Sequence, residues 1–300
     1  MDGESRDDIA KRFATKTALA NMLRGSMIVV VKNAEQAYIA EGAGARAVIP
    51  IDKTFAECKS LGGVSMVDLG TMEEIMDRVV IPVIGRVRIG HTLEAMAMEA
   101  AKVSFIEENE LMLSIGDTHI SKHPFKVPFI GEASNLYDAL LRIKEGASMV
   151  RTKYADDEDK ADIVKTFNTV RKVFKEIAQV CDSDETQLIR YASQGAVPIE
   201  LLRMVARQRK LPVPFFAAGG IFMPIDIAML MSLGCDGVVV SSRAFNVISP
   251  EKRMDDIASA LADYKDPAKM SRIIMRTGGY GKSGSQTAGI ATPSVALKPK

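Results

Sequence analysis

Met27 to Ile51 runs MIVVVKNAEQAYIAEGAGARAVIPI, a β-branched apolar run, a polar turn, a helical segment and a second apolar run. Met27 to Val31 and Ala47 to Ile51 lack the polar/apolar alternation of a strand with one wet face, so both read as strands covered on both sides. Between them NAEQAYIAEGA, Asn33 to Ala43, places Ala34, Ala37, Ile39 and Ala40 on one helical face. Strands joined through a helix pair in parallel, because a parallel neighbour is reached only by a crossover.

The same alternation continues along the chain. Further strands are expected at Ile81 to Ile84, Val103 to Ile106, Val127 to Ile130, Met149 to Thr152, Val213 to Ala217 and Gly237 to Ser241. Helices are expected at Thr71 to Arg78, Thr92 to Ala101, Leu136 to Ile143, Ala161 to Val180 and Pro224 to Leu233. Eight buried strands alternating with helices predict an α/β fold of the (β/α)8 TIM-barrel type. An open doubly wound sheet is the competing architecture, but no GxGxxG follows the first strand. Ala161 to Lys210 reads as a helical insertion between strands 6 and 7, with at least two helices separated near Gly195 to Pro198. The expected organisation is an N-terminal segment, 1–24, with a possible docking helix in Asp7 to Arg24, a barrel over 25–276, and a mobile Gly/Ser/Thr/Ala-rich tail over 277–300.

The chain has 300 residues, 47% hydrophobic and 26% charged, which is enough to bury a large core and excludes general disorder. Its 39 basic and 38 acidic residues leave a formal charge of +1, so no global field favours nucleic acid or an anionic membrane. Tryptophan is absent and aromatics make up 6%, which removes most of the stacking surface of single-strand binders. No apolar run approaches a membrane span, and the N-terminus, MDGESRDDIAKR, has no apolar signal core. Cys58, Cys181 and Cys235, with His91, His119 and His123, show no metal-ligand spacing, and three dispersed thiols fit a reducing compartment. The expectation is a cytoplasmic protein without a bound metal.

Barrel active sites lie at the C-terminal ends of the strands. There Lys153 is placed either as a Schiff-base amine or as a surface lysine. Gly219 and Gly220 after the seventh strand, with Ser241 and Ser242 after the eighth, lie where barrels bind phosphate, although a glycine pair also makes a plain turn. RVRIGH, Arg86 to His91, brings two cations and a histidine to the end of the third strand; ion pairs with Glu94, Glu107, Glu108 and Glu110 account for those cations equally well. The 17 methionines read as core filling, and the run Asp156, Asp157, Glu158, Asp159 as a solvated loop or helix start.

Six ordered blocks, NAEQAxIAEGAGA (Asn33 to Ala45), IPVxxxxRIGH (Ile81 to His91), FIEENE (Phe105 to Glu110), EGASMVRTK (Glu145 to Lys153), FAAGGI (Phe216 to Ile221) and LGCDGVVVSS (Leu233 to Ser242), closely resemble the synthase subunit of pyridoxal 5′-phosphate synthase, the PdxS/Snz family. The resemblance runs from about Lys16 to Tyr264. It implies a (β/α)8 barrel assembled as hexamer rings that pair into dodecamers. It also implies a lyase-class reaction in which a pentose 5-phosphate, glyceraldehyde 3-phosphate and ammonia are condensed. No cofactor is required, pyridoxal 5′-phosphate being the product, and a PdxT-type glutaminase supplies the ammonia.

Lys153 matches the family's second Schiff-base lysine. The first is Arg86 here, and a guanidinium that stays protonated cannot form an imine. The catalytic aspartate expected at the end of the first strand is Val30, which carries no proton. The aspartate of the family's IDESE is Glu107. A glycine-rich phosphate loop after the second lysine is replaced by YADDEDKAD, Tyr154 to Asp162, whose carboxylates repel phosphate. Gly219 and Gly220 match the second phosphate region, and the usual Gly-Ser is Ser241-Ser242. These departures imply an impaired or non-catalytic subunit of vitamin B6 biosynthesis, a structural or regulatory partner of an active paralogue in a homo- or hetero-oligomer. The alternatives are an active synthase using Lys153 alone or a displaced lysine, Lys32 or Lys53, and a different Schiff-base phosphosugar enzyme acting through Lys153.

Overall fold

The computed structural model describes residues 5–52, 66–109, 118–153 and 162–277. Lys53, Cys58, Glu110, Met112, the acidic run 156–159 and the tail 278–300 lie outside them. Eight parallel strands form the sheet: β1 (Ser26–Val31), β2 (Ala47–Pro50), β3 (Ile84–Arg88), β4 (Phe105–Asn109), β5 (Phe129–Ala133), β6 (Met149–Thr152), β7 (Phe215–Ala218) and β8 (Gly237–Val240). Their order is β2-β1-β8-β7-β6-β5-β4-β3, and a parallel bridge between Val48 and Val83 brings β2 to β3 and closes the barrel.

The helices are α1 (Arg6–Asn21), α2 (Ala34–Gly42), α3 (Leu69–Arg78), α4 (Thr92–Ala100), α5 (Leu136–Lys144), α6 (Ile163–Cys181), α7 (Glu185–Gly195), α8 (Ile199–Gln208), α9 (Pro224–Ser232), α10 (Pro250–Asp263) and α11 (Pro267–Thr277). Short polar side chains start many of them by satisfying an orphan backbone N–H. Asn33 accepts from Gln36 N at 2.9 Å, Asn135 from Asp138 N at 2.9 Å and Asp162 from Val164 N at 2.8 Å. At α7 the capping is reciprocal between Asp184 and Gln187. The insertion between β6 and β7 holds three helices, α6 to α8; besides the expected break near Pro198, the chain turns again between Cys181 and Glu185.

Alternation along the strands divides the core in two. Met27, Val29 and Val31 face outward, in one cluster with helical residues such as Ala37, Ala40 and Met72. Ile28, Val30, Ile49, Ile84, Phe105, Ile130, Met149, Phe216 and Val239 fill the lumen, together with Ala20 and Leu23 from α1 and the turn that follows it. α1 is tied to the barrel by cations: Lys16 Nζ donates to Lys122 O at 2.8 Å and Phe125 O at 3.2 Å, and Arg12 donates to His123 O at 3.0 Å. Burial, then the neighbouring Arg12, pulls the Lys16 amine down to about 8.

Three strands extend further toward their C-terminal ends than the apolar runs indicate. β3 begins at Ile84 rather than Ile81, because Pro82 has no N–H for the ladder and offers its carbonyl to Val48 N at 3.0 Å. β4 and β5 likewise continue to Asn109 and Ala133. Consequently Arg86 and Glu107, expected in the loops after their strands, lie inside β3 and β4.

Candidate active site

The C-terminal half of the lumen is polar on one side. Arg86 on β3, Glu107 on β4, Glu132 on β5 and Arg151 on β6 are inward positions on four consecutive strands, and all four side chains are buried. In register Arg86 stands beside Glu107, and Glu132 beside Arg151. The contacts form a chain of alternating charge. Arg86 Nε donates to Glu107 Oε2, Arg151 Nε donates to Glu107 Oε1 at 2.5 Å, and Arg151 Nη2 donates to Glu132 Oε1. Arg151 Nη1 donates to Thr152 O at 3.0 Å, and Asn109 Nδ2 to Glu107 Oε2 at 3.3 Å.

Burial pushes the Glu107 carboxyl up, but the guanidiniums of Arg151 and then Arg86 outweigh it and hold it well below the ordinary carboxylate range, at about 2. Among these four buried side chains two cations thus face two anions. Such a set persists because removing one member leaves an uncompensated buried charge.

Lys153 follows β6 by one residue and is exposed; its backbone N–H donates to Ala133 O at 3.0 Å, which prolongs the ladder past Thr152. By strand alternation it shares the lumen side with Arg151. Partial burial lowers its amine below the usual lysine value. Val30, the position matched to an aspartate, is fully buried in the apolar lumen cluster beside β2 and β8. Among the described residues, the sequence-derived candidates Lys153, Arg86 and Glu107 belong to one end of the barrel, and Val30 contributes apolar wall.

The loops after β7 and β8 also meet. Ser241 N donates to Ile221 O at 2.7 Å, which joins the Gly219-Gly220 turn to Ser241 and Ser242. Gly219 and Gly220 have φ of 110° and 67°, conformations that side chains disfavour, so the turn requires glycine. Thr166 at the start of α6 donates to Gly219 O at 2.8 Å, and Arg243 lies over the Phe222 ring at 4.1 Å.

In RVRIGH the cations are ion-paired: Arg86 with Glu107, and Arg88 with Glu94 at 2.6 Å. His91 caps α4, its Nδ1 accepting from Glu94 N at 3.2 Å. Outside the lumen, Glu108, His119 and Glu145 have ligand atoms close enough for a metal. Lys122 Nζ already supplies a cation there, 2.7 Å from Glu108 and 2.9 Å from Glu145. Sequence reading missed Glu132 and the pairing role of Arg151, because each is defined by a residue on a neighbouring strand rather than by a spacing along the chain.

Residues 12–218 match the SOR/SNZ family. The chain is 41% identical over 263 residues to pyridoxal 5′-phosphate synthase subunit PDX1.1 of Arabidopsis thaliana, covering 87% of this chain and 84% of that one. Against pyridoxal 5′-phosphate synthase subunit pyroA of Emericella nidulans it is 42% identical over 269 residues, 87% and 88% of the two chains. Against pyridoxal 5′-phosphate synthase subunit PdxS of Thermus thermophilus it is 43% identical over 263 residues, 87% and 89%.

Proposed function

Because this chain belongs to the SOR/SNZ family, among pyridoxal 5′-phosphate synthase subunits, we propose that it serves vitamin B6 biosynthesis as a non-catalytic subunit that assembles with an active paralogue. One observation carries this reading: the position matched to the first Schiff-base lysine is an arginine, buried and bonded to Glu107. Imine formation needs a neutral amine that attacks a carbonyl and then loses water. A guanidinium held against a carboxylate stays charged and supplies no such nucleophile. Val30 supports the reading, since no proton can be moved at an apolar wall.

The closed barrel, its capped helices and the joined β7 and β8 loops support the reading of a retained scaffold. In this proposal it contributes to ring assembly, alters the stability or activity of an active partner, and remains compatible with a PdxT-type glutaminase. Hexamer and dodecamer are the assemblies that the family resemblance implies.

Purified protein incubated with ribose 5-phosphate, glyceraldehyde 3-phosphate and ammonium is expected to form no pyridoxal 5′-phosphate. Mixed with an active family member, it is expected to appear in joint oligomers by native mass spectrometry. Cofactor formation by this chain alone, or exclusion from the partner's oligomers, overturns the proposal. A second reading, a Schiff-base phosphosugar enzyme, draws on the lowered amine of Lys153. Borohydride reduction with ribose 5-phosphate tests it, since that reading requires a mass adduct at Lys153.

A further inference from the structure

The buried charges of the lumen form a connected chain of alternating sign, and the carboxylate of Glu132 has a distinct place in it. Arg151 is fully buried, and each of its three guanidine nitrogens has a named acceptor: Glu107, Glu132 and the Thr152 carbonyl. Glu107 serves both arginines at once, one oxygen to each. Glu132 differs in being the register partner of Arg151 on the neighbouring strand. An anion entering from the mouth would meet Lys153 and then this ion-paired floor.

We propose that Glu132 is a built-in counter-anion that occupies the place at Arg151 where a substrate phosphate or carboxylate would bind, and so closes the barrel to anionic sugars. The inference rests on the non-catalytic reading above for its substrate class, and on the ionic chain for its mechanism. A buried cation binds an incoming anion strongly only when its charge is uncompensated and its donors are open. With Glu132 in place, an anion would have to displace a carboxylate already held in register and would face Glu107 at short range in a buried site. Without Glu132, Arg151 loses one of its two carboxylate partners and the floor becomes more positive by one charge. Inorganic phosphate or acetate can then supply the missing anion. Glu132 is thus a specificity determinant set against ligands rather than for one.

The test follows the thermal stability of the full chain as inorganic phosphate replaces chloride at constant ionic strength. Four proteins are compared: wild type, Glu132→Ala, Glu132→Gln, and the double variant Glu132→Ala/Arg151→Met. Wild type is expected to be insensitive. Glu132→Ala is expected to melt lower in chloride, to recover in phosphate, and to bind phosphate at least about tenfold tighter than wild type, as an uncompensated buried cation requires. The isosteric Glu132→Gln is expected to respond in the same direction. The double variant, which removes both charges, is expected to lose the response. A Glu132 variant that folds only in phosphate supports the proposal equally.

Wild type that binds phosphate as tightly as the variants overturns it. So does a folded variant blind to phosphate, or an unfolded one that phosphate fails to recover. Cofactor formation by wild type would sink the non-catalytic reading whatever the titration shows, whereas no cofactor with a flat titration sinks only the role of Glu132.

Discussion

Glu108 lies on the outward face of β4, back to back with the lumen charges, and its two oxygens meet different partners. One accepts from Gly90 N at 3.0 Å and Ile120 N at 2.8 Å; the other faces Lys122 Nζ at 2.7 Å and His119 Nδ1 at 3.0 Å. Burial raises the carboxyl, but the adjacent His119 and the charge of Lys122, with the bond from Ile120 N, prevail and lower it from 4.5 to about 2. The folded state therefore binds this proton more weakly than the unfolded chain does. Its stabilisation is complete above the unfolded value and is lost as pH falls from about 4.5 toward 2, amounting to roughly 3 kcal/mol at most. Urea unfolding across that window should show a shallower loss for Glu108→Gln than for wild type, because the amide does not titrate. At this scale the sequence was legible only where one residue type announced its own chemistry. Lys153 stood out as an amine at a strand end and Arg86 as a cation where an amine was expected, whereas Glu132 in FIGEA looks like any polar strand residue until β6 brings Arg151 beside it.

At the scale of elements, the bounds of four strands were legible, whereas β3, β4 and β5 start two to three residues and end three to four residues beyond their apolar runs. β1, β2, β6 and β8 came within a residue of the apolar runs, because their inward positions are mostly apolar and hydropathy traces them. β3, β4 and β5 carry charge at inward positions near their C-terminal ends, so apolarity stops before the ladder does. Helices were legible through their alternation with the strands and, in Asn33 to Ala43, through an apolar face, and the insertion through its length. What the insertion rests on was hidden: α7 ends at Gly195 directly against the Tyr137 ring of α5, and a Cβ there would overlap ring atoms. Gly195→Ala should therefore lower stability by about 1–3 kcal/mol despite alanine's better helix propensity, measured as a downward shift in the thermal midpoint. Tyr137→Leu, which trades the flat ring for a smaller side chain, should soften the effect when combined with it.

For the whole molecule, the alternation of apolar strands and capped helices dictates a barrel, but closure is a property no single segment contains. The inventory of joints is uneven. β3 and β4 share five register pairs, β1 shares four with β2 and four with β8, while β2 and β3 meet through the single Val48–Val83 bridge. The Val48 N–H bond to Pro82 O reinforces that bridge.

A ring of staves opens where the lacing is thinnest. In deuterated solvent the Val48 amide should exchange well before that of Val29 or Val239, whose strands are laced on both sides, with uptake read by NMR. The opening would wet the lumen from the β3 side, reaching Arg86 before Arg151 and Glu132, which lie farther around the sheet. The ionic chain would then come apart from one end, and the barrel would unroll with its Glu132 pair still fastened.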